Sequence, residues 1–357
     1  MSQPYAFGPP PGWSGHDDET LRADSPPGAR VSEQPVSPAE VAWFAQRCDL
    51  VVQNVERVIR GKTDVIRLAV LCLAAEGHLL LNDVPGVGKT SIAKALAKSI
   101  AGTMRRIQCT PDLLPTDVTG INIWNADTRT FEFQPGPVFA NVVLADEVNR
   151  ASPKTQSALL EVMEERQVTL DGTAYPLERP FLVIATQNPV EHGGTFDLPE
   201  AQIDRFMMRL AVGYPAHEAE VDMLASRSAG QSVDDLTPVV TAADAQQMTA
   251  IVRRVHISRE LLSYVVTVAD ATRRRAELRL GASPRGGLAL VVAAQAHAAA
   301  EGRAFVIPDD VKRLAPHVLG HRLLLRPEAE LNGVTAEKLL GSVLVGVPVP
   351  GERPAFR

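Results

Sequence analysis

Three short apolar runs, each ending in polar residues, constrain the fold of this chain more than any other feature. They are "HLLLND" at residues 78–83, "NVVLADE" at 141–147 and "FLVIATQN" at 181–188. Runs of this length and character read as strands buried on both faces, the habit of parallel sheets. Helical patterns separate them. "TSIAKALAKSIAG" (90–102) closes on Gly102, and "SPKTQSALLEVMEERQ" (152–167) opens on a Ser-Pro cap. Strand–helix alternation implies a mostly parallel α/β sheet with right-handed crossovers.

Two stretches break the alternation. "INIWNADTRTFEF" (121–133) and "QVTLDGTAYPL" (167–177) alternate in polarity, the second around Asp171-Gly172, a strong hairpin signal. Both read as β-hairpins inserted into the α/β domain. Upstream, "SPAE" (37–40) predicts a capped helix, with Ser37 as cap, Pro38 at the first position and Glu40 closing a capping box. That helix runs to Ile59, and a second, 64–76, stops at Gly77. After Tyr214-Pro215 the strands stop, and five helical stretches (216–228, 241–254, 258–275, 284–301 and 308–320) form a separate all-helical domain with its own core. The expected organisation is a tail over 1–36, an α/β domain over 37–214, a helical domain over 215–350 and a short C-terminal tail over 351–357.

Composition enters as a filter. The first 36 residues are rich in Pro, Gly and Ser, cannot bury enough apolar surface, and are expected to be disordered. A net charge of -6 argues against a general nucleic-acid binder. The first residues lack a basic region followed by an apolar run, so no signal peptide is expected, and the apolar stretch 288–300 is too short and interrupted to span a bilayer. The three cysteines show no C-x-x-C spacing, which fits free thiols and a reducing cytosol. A soluble, cytoplasmic protein is expected.

The turn after the first strand, Asp83-Val84-Pro85-Gly86-Val87-Gly88-Lys89-Thr90-Ser91, reads as a phosphate-binding loop, although Asp83 stands where the usual pattern has glycine. Backbone N–H groups from Gly86 to Thr90 converge on an anion at the positive end of the next helix. Lys89 supplies a point charge to the β- and γ-phosphates, and Thr90 offers a hydroxyl to Mg²⁺. Asp83 turns the chain out of the strand. Asp146-Glu147 ends the second strand, Asp146 lying 57 residues after Lys89. A carboxylate at that strand end suits Mg²⁺, and Glu147 is placed to orient and deprotonate an attacking water. Asn188, at the tip of the third strand, can hold that water or the γ-phosphate. Arg150, Arg205 and Arg209 are candidates to neutralise charge on the γ-phosphoryl group, with Arg205 suited to face a neighbouring subunit. Arg285, in "GASPRGG", opposes the dipole of the helix it begins and calls for an anionic partner. It is a candidate to reach back onto the nucleotide.

Together these residues resemble an AAA+ ATPase, and more narrowly the MoxR family. The resemblance rests on "DVPGVGKTSIAKALA", "RIQCTPDLLPTDVTG", "FEFQPGPVFANVVLADEVNRASPKTQSALLEVMEERQVTLDG", "FLVIATQNPVEHGGTFDLPEAQIDRFMMR" and "GASPRG", and covers roughly residues 37–350. It implies an AAA+ P-loop core with a parallel sheet and two inserted hairpins, followed by an all-α lid domain. Lys89 and Thr90 match Walker A, Asp146 and Glu147 Walker B, Asn188 sensor 1, Arg205 the arginine finger and Arg285 sensor 2. ATP and Mg²⁺ follow as cofactors. The resemblance further implies a homo-hexameric ring with chaperone-like action on a client protein, and a partner carrying a von Willebrand factor A domain. Two other functions fit the same core. One is a DNA-acting AAA+ motor, against which the acidic pI counts. The other is a nucleotide-gated scaffold with negligible hydrolysis, against which Glu147, Asn188 and Arg205 count together.

Overall fold

In the computed structural model the described residues are 34–350, apart from 84–85, 188–195, 197, 229 and 231. The N-terminal tail lies outside them up to residue 33, as does the C-terminal one. Residues 34–36 are held in place, contrary to the expected tail. Val36 is buried, and Arg254 donates to the carbonyl oxygens of Gln34 (3.0 Å) and Pro35 (3.3 Å).

Helix α1 (Pro38–Glu56) opens on the expected capping box: Glu40 N–H donates to Ser37 Oγ at 3.3 Å, and Ser37 N–H to Glu40 Oε2 at 2.8 Å. Helix α2 (Thr63–Ala74) ends in a left-handed residue, but it is Glu76 (φ 51) and not Gly77. Glu76 is buried among three arginines, Arg166, Arg179 and Arg253, and these contacts hold it there. Gly77 answers a different need, since a Cβ there would meet Met207 Sδ at 2.4 Å.

The α/β part continues with β1 (Leu79–Asn82), α3 (Lys89–Ser99), β2 (Met104–Gln108), α4 (Pro115–Thr119), β3 (Gly120–Asn125), β4 (Thr130–Pro135), β5 (Val142–Asp146), α5 (Pro153–Glu165), β6 (Gln167–Leu170), β7 (Thr173–Pro176), β8 (Leu182–Gln187), α6 (Glu200–Ile203) and β9 (Met208–Leu210). Five strands form one parallel sheet in the order β2-β5-β8-β1-β9. Its centre is the three apolar runs of the sequence. The side-chain period of two splits each strand between two cores. Leu79, Leu81, Val142, Leu144, Leu182 and Ile184 face one cluster, and Leu80, Val143, Ala145, Val183 and Ala185 the other.

Both hairpins form where expected, β3 with β4 and β6 with β7. Asp171 and Gly172 both have positive φ (49° and 81°), as a two-residue hairpin turn of the primed type requires. The hairpins are tied to each other. Phe133 stacks on Tyr175 with ring centroids 4.0 Å apart, and Asn122 Nδ2 donates to Asp171 Oδ2 at 2.7 Å.

After β9 come α7 (His217–Ser228), α8 (Ala242–Val252), α9 (Arg259–Arg273), β10 (Leu278–Leu280), α10 (Pro284–Ala300), α11 (Pro308–Leu319), β11 (Leu324–Leu325), α12 (Pro327–Leu331) and α13 (Ala336–Gly346). The region is a helical lid, with β10 and β11 as a short antiparallel ribbon on it. Its core is not separate. Helix α10 is alanine-rich and buried on most sides, so other helices must surround it. Two of them are α1 and α2, which pack on α10 from the N-terminal side of the chain. Phe44 and Val70 therefore share one apolar cluster with Leu290, Leu314 and the β1 leucines 79 and 81. Among the described residues no helix is long and apolar enough to cross a membrane.

Candidate nucleotide site

The phosphate loop leaves β1 at the carboxyl edge of the sheet and runs into α3 at Lys89. Gly86 and Gly88 have φ of 87° and 91°, with open space where a Cβ would stand. Glycine is required there by backbone conformation, not by crowding. Gly88 caps α3 without a side chain, so the first N–H groups of the helix are left to an external acceptor. Lys89 Nζ donates to the Asp83 carbonyl oxygen at 2.8 Å, folding the lysine across its own loop. Thr90 is exposed and Ser91 half-buried at the start of the helix, whereas Val84, Pro85 and Asn188 lie outside the described residues.

Asp83 does more than turn the chain. It is buried, and its carboxylate Oδ2 accepts the Gly213 N–H at 2.5 Å. Gly213 belongs to the linker from β9 to α7, and Lys62 Nζ holds the next residue by the Tyr214 carbonyl at 2.8 Å. A carboxylate among phosphates would repel them, and here it serves as a pin for the interdomain linker. Asp83→Gly is therefore expected to change nucleotide affinity little while lowering stability by about 1.5–3 kcal/mol, the worth of a hydrogen bond to a charged group. Thermal melting read beside a nucleotide titration checks both halves.

The two acids at the end of β5 are clamped from both sides. Asp146 Oδ1 accepts from Thr186 Oγ1 (2.7 Å), and its Oδ2 accepts from Arg106 Nη2 (2.5 Å). Thr186 Oγ1 also accepts the Glu147 N–H at 2.8 Å. Glu147 sits in the left-handed region at φ 55°, a cost of roughly 1 kcal/mol that its neighbours hold in place. Its Oε2 accepts from Arg150 Nη1 at 2.9 Å and from Gln108 Nε2 at 3.4 Å. Thr186, Arg106 and Gln108 escape a sequence reading. Thr186 has a faint signal, a hydroxyl inside an otherwise apolar strand. The other two sit on β2, whose "MRRIQ" does not look like a strand at all.

Beside the loop opens a cavity of about 570 Å³, lined by Ile59 and Lys62 from the α1–α2 connection, Gly86 and Val87 from the loop, and Tyr214 and Met223 from the linker and α7. The connection is pressed against α7, for a Cβ on Gly61 (φ 69°) would come within 2.8 Å of Ala219 Cβ. A slot with apolar side chains such as Ile59, Val87 and Met223 next to a phosphate cradle suits a flat heterocycle. Nothing in residues 57–62 marked them in the sequence as part of a site.

The arginines sort themselves by their partners. Arg150 is engaged with Glu147 of its own chain. Arg209 lies half-buried within β9, where burial lowers its pKa. Arg205 and Arg285 do not line the cavity of their own chain. Instead they meet each other. Arg205 Nη2 lies 3.1 Å from Glu164 Oε2, and Arg285 Nη2 lies 2.5 Å from Glu164 Oε1. The anionic partner that the position of Arg285 demanded is this glutamate. Arg285, expected from the sequence to reach back onto the nucleotide, is here held by Glu164.

The chain is similar to known proteins. The family described as "ATPase family associated with various cellular activities (AAA)" matches residues 78–208, and an AAA lid domain family matches 270–342. Uncharacterized protein YeaC of Bacillus subtilis is 49% identical over 306 residues, covering 86% of this chain and 96% of its own. Chaperone MoxR1 of Mycobacterium tuberculosis is 39% identical over 345 residues, covering 94% of this chain and 89% of its own. A crystal structure of a candidate ATPase from Cytophaga hutchinsonii superposes with a TM-score of 0.81 at 39% identity, over 87% of this chain and 97% of that one. With the loop, the paired acids, the two hairpins and the helical lid all in place, the chain belongs to the MoxR family of AAA+ ATPases.

Proposed function

We propose that the protein binds ATP with Mg²⁺, hydrolyses it to ADP and phosphate in a ring of identical subunits, and uses the cycle to remodel or assemble client proteins. One observation carries the catalytic reading. The phosphate loop after β1 and the acids Asp146-Glu147 after β5 emerge at the same edge of one parallel sheet, with β8 alone between their strands. The donor set fits the metal: Thr90 offers one hydroxyl and Asp146 one carboxylate, and Mg²⁺ takes few protein ligands beside phosphate oxygens and water. Bound there, the ion supplies charge neutralisation on the phosphates.

The chain's own residues do the rest. Amides from Gly86 to Thr90 and the Lys89 ammonium hold the β- and γ-phosphates, and the slot at Ile59 and Met223 takes the base. Glu147, fixed by Arg150 and Gln108, accepts a proton from the attacking water, which Asn188 helps to hold. Arg205 and Arg285 act on the γ-phosphate of a neighbouring copy, a reading supported by their partly exposed side chains and their shared anchor on Glu164. The client-facing surface is hairpin β3–β4, where Trp124 and Phe131 pack edge to face at 5.2 Å yet remain 53% and 69% exposed. A chaperone-like role is supported by the name of the mycobacterial relative, and a von Willebrand factor A domain protein is the expected companion. Work in the cytoplasm completes the reading.

Lys89→Ala tests the nucleotide site. It removes two or more charge-assisted hydrogen bonds of about 1.5–3 kcal/mol each, so ATP affinity should fall by more than about 10²-fold. Titration with a fluorescent ATP analogue measures it. Affinity equal to that of the unaltered protein would place the nucleotide elsewhere.

A further inference from the structure

Two guanidinium groups repel each other unless something anionic lies between them. Glu164 does so here, one carboxylate oxygen for each arginine. It stands in the last turn of α5, where the helix end adds its own partial negative charge. The arginines come from separate parts of the chain, Arg205 just after α6 and Arg285 in the first turn of α10. Their backbones are braced together. Ser283 Oγ donates to both Asp204 oxygens (3.0 and 2.9 Å), Arg322 Nε donates to Asp204 Oδ1 at 2.6 Å, and Arg279 pairs with Glu200 at 2.5 Å. Three guanidiniums, those of Arg205, Arg285 and Arg322, thus face two carboxylates, Glu164 and Asp204, leaving the cluster net positive. Arg205, Arg285 and Glu164 are all partly exposed, with side-chain exposures of 30%, 44% and 44%.

We infer that Glu164 is the positioning residue for the arginine pair: it holds Arg205 and Arg285 side by side as a single cationic fork for the γ-phosphate of the adjacent copy. Each guanidinium has five N–H donors, so each can keep a bond to Glu164 while giving others to a phosphate. Glu164 touches no reacting atom. Its effect is to remove the search for geometry from the step in which charge builds on the phosphoryl group, where a misplacement of about 1 Å costs on the order of 10²-fold in rate. This rests on the reading that the arginines act between copies.

The test uses full-length protein in mixed assemblies. Lys89→Ala subunits keep their arginines but lose the loop, and Arg205→Ala subunits keep the loop but lose the finger. Their mixture should recover hydrolysis that neither shows alone. Glu164→Gln added to the Lys89→Ala subunits, the arginine donors, should lower the recovered kcat roughly ten- to a hundredfold with KM for ATP unchanged. Added to the Arg205→Ala subunits, it should have no further effect. Glu164→Asp in the donors, which restores the charge, should recover part of the loss. An equal fall from either placement, a rise in KM, or no fall at all overturns the positioning role. Failure of the parent mixture to recover any activity overturns the between-copies reading itself.

Discussion

Arg205→Ala should lower kcat by roughly 10³–10⁵ and leave the affinity for ATP where it is. The size follows from the charge that builds on the γ-phosphoryl oxygens in the transition state, which Arg205 meets from the far side together with Arg285. The split between rate and affinity follows from position. Arg205 is tied to Glu164 and is proposed to act on the next copy, so a subunit keeps every contact to its own nucleotide when the side chain is removed. Phosphate release measured above the concentration at which subunits assemble, beside a nucleotide titration, gives both numbers. Arg150 and Arg209 are the comparison. The first is paired with Glu147 and the second lies half-buried in a strand, so the same substitution at either is expected to lower the rate less. A loss of affinity matching the loss of rate would move Arg205 to its own nucleotide.

Glu147→Gln is expected to cost about 10²–10⁴ in turnover while binding persists, the usual worth of a positioned general base. The amide is nearly the same shape and its oxygen still accepts from Arg150, so the left-handed turn at Glu147 and the Thr186 bond to its N–H survive. Only the capacity to take a proton is lost. Rapid-quench measurement of a single turnover isolates that step, and a wild-type rate there would give the base to another group. The variant also holds ATP without consuming it, which makes it the bait for identifying what co-purifies from a cell extract.

The two halves of the site differ in how far the sequence discloses them. The loop, the acids and the three inner strands are local patterns, each readable within ten residues, and all stand where the pattern puts them. The outer strands β2 and β9 are not, because an edge strand needs no apolar run: β2 carries exposed Arg105 and Arg106, and β9 is three residues long. Glu164 is harder still. It reads as one more acid on a solvated helix, and its meaning comes from arginines 41 and 121 residues further along. The same holds for Asp83, where the sequence suggests a worn phosphate loop and the fold supplies Gly213. What depends on convergence of distant segments is invisible until the segments converge.

The packing of α1 and α2 onto α10 has an outcome for how such chains recombine. A crossover at Tyr214-Pro215, the most natural seam along the sequence, would give α10 from one parent to the α1 and α2 of another. Side chains that interlock at crystal-like density do not survive random pairing. Inheritance of the lid is thereby tied to inheritance of the first two helices, and the two ends of this chain should diverge in step.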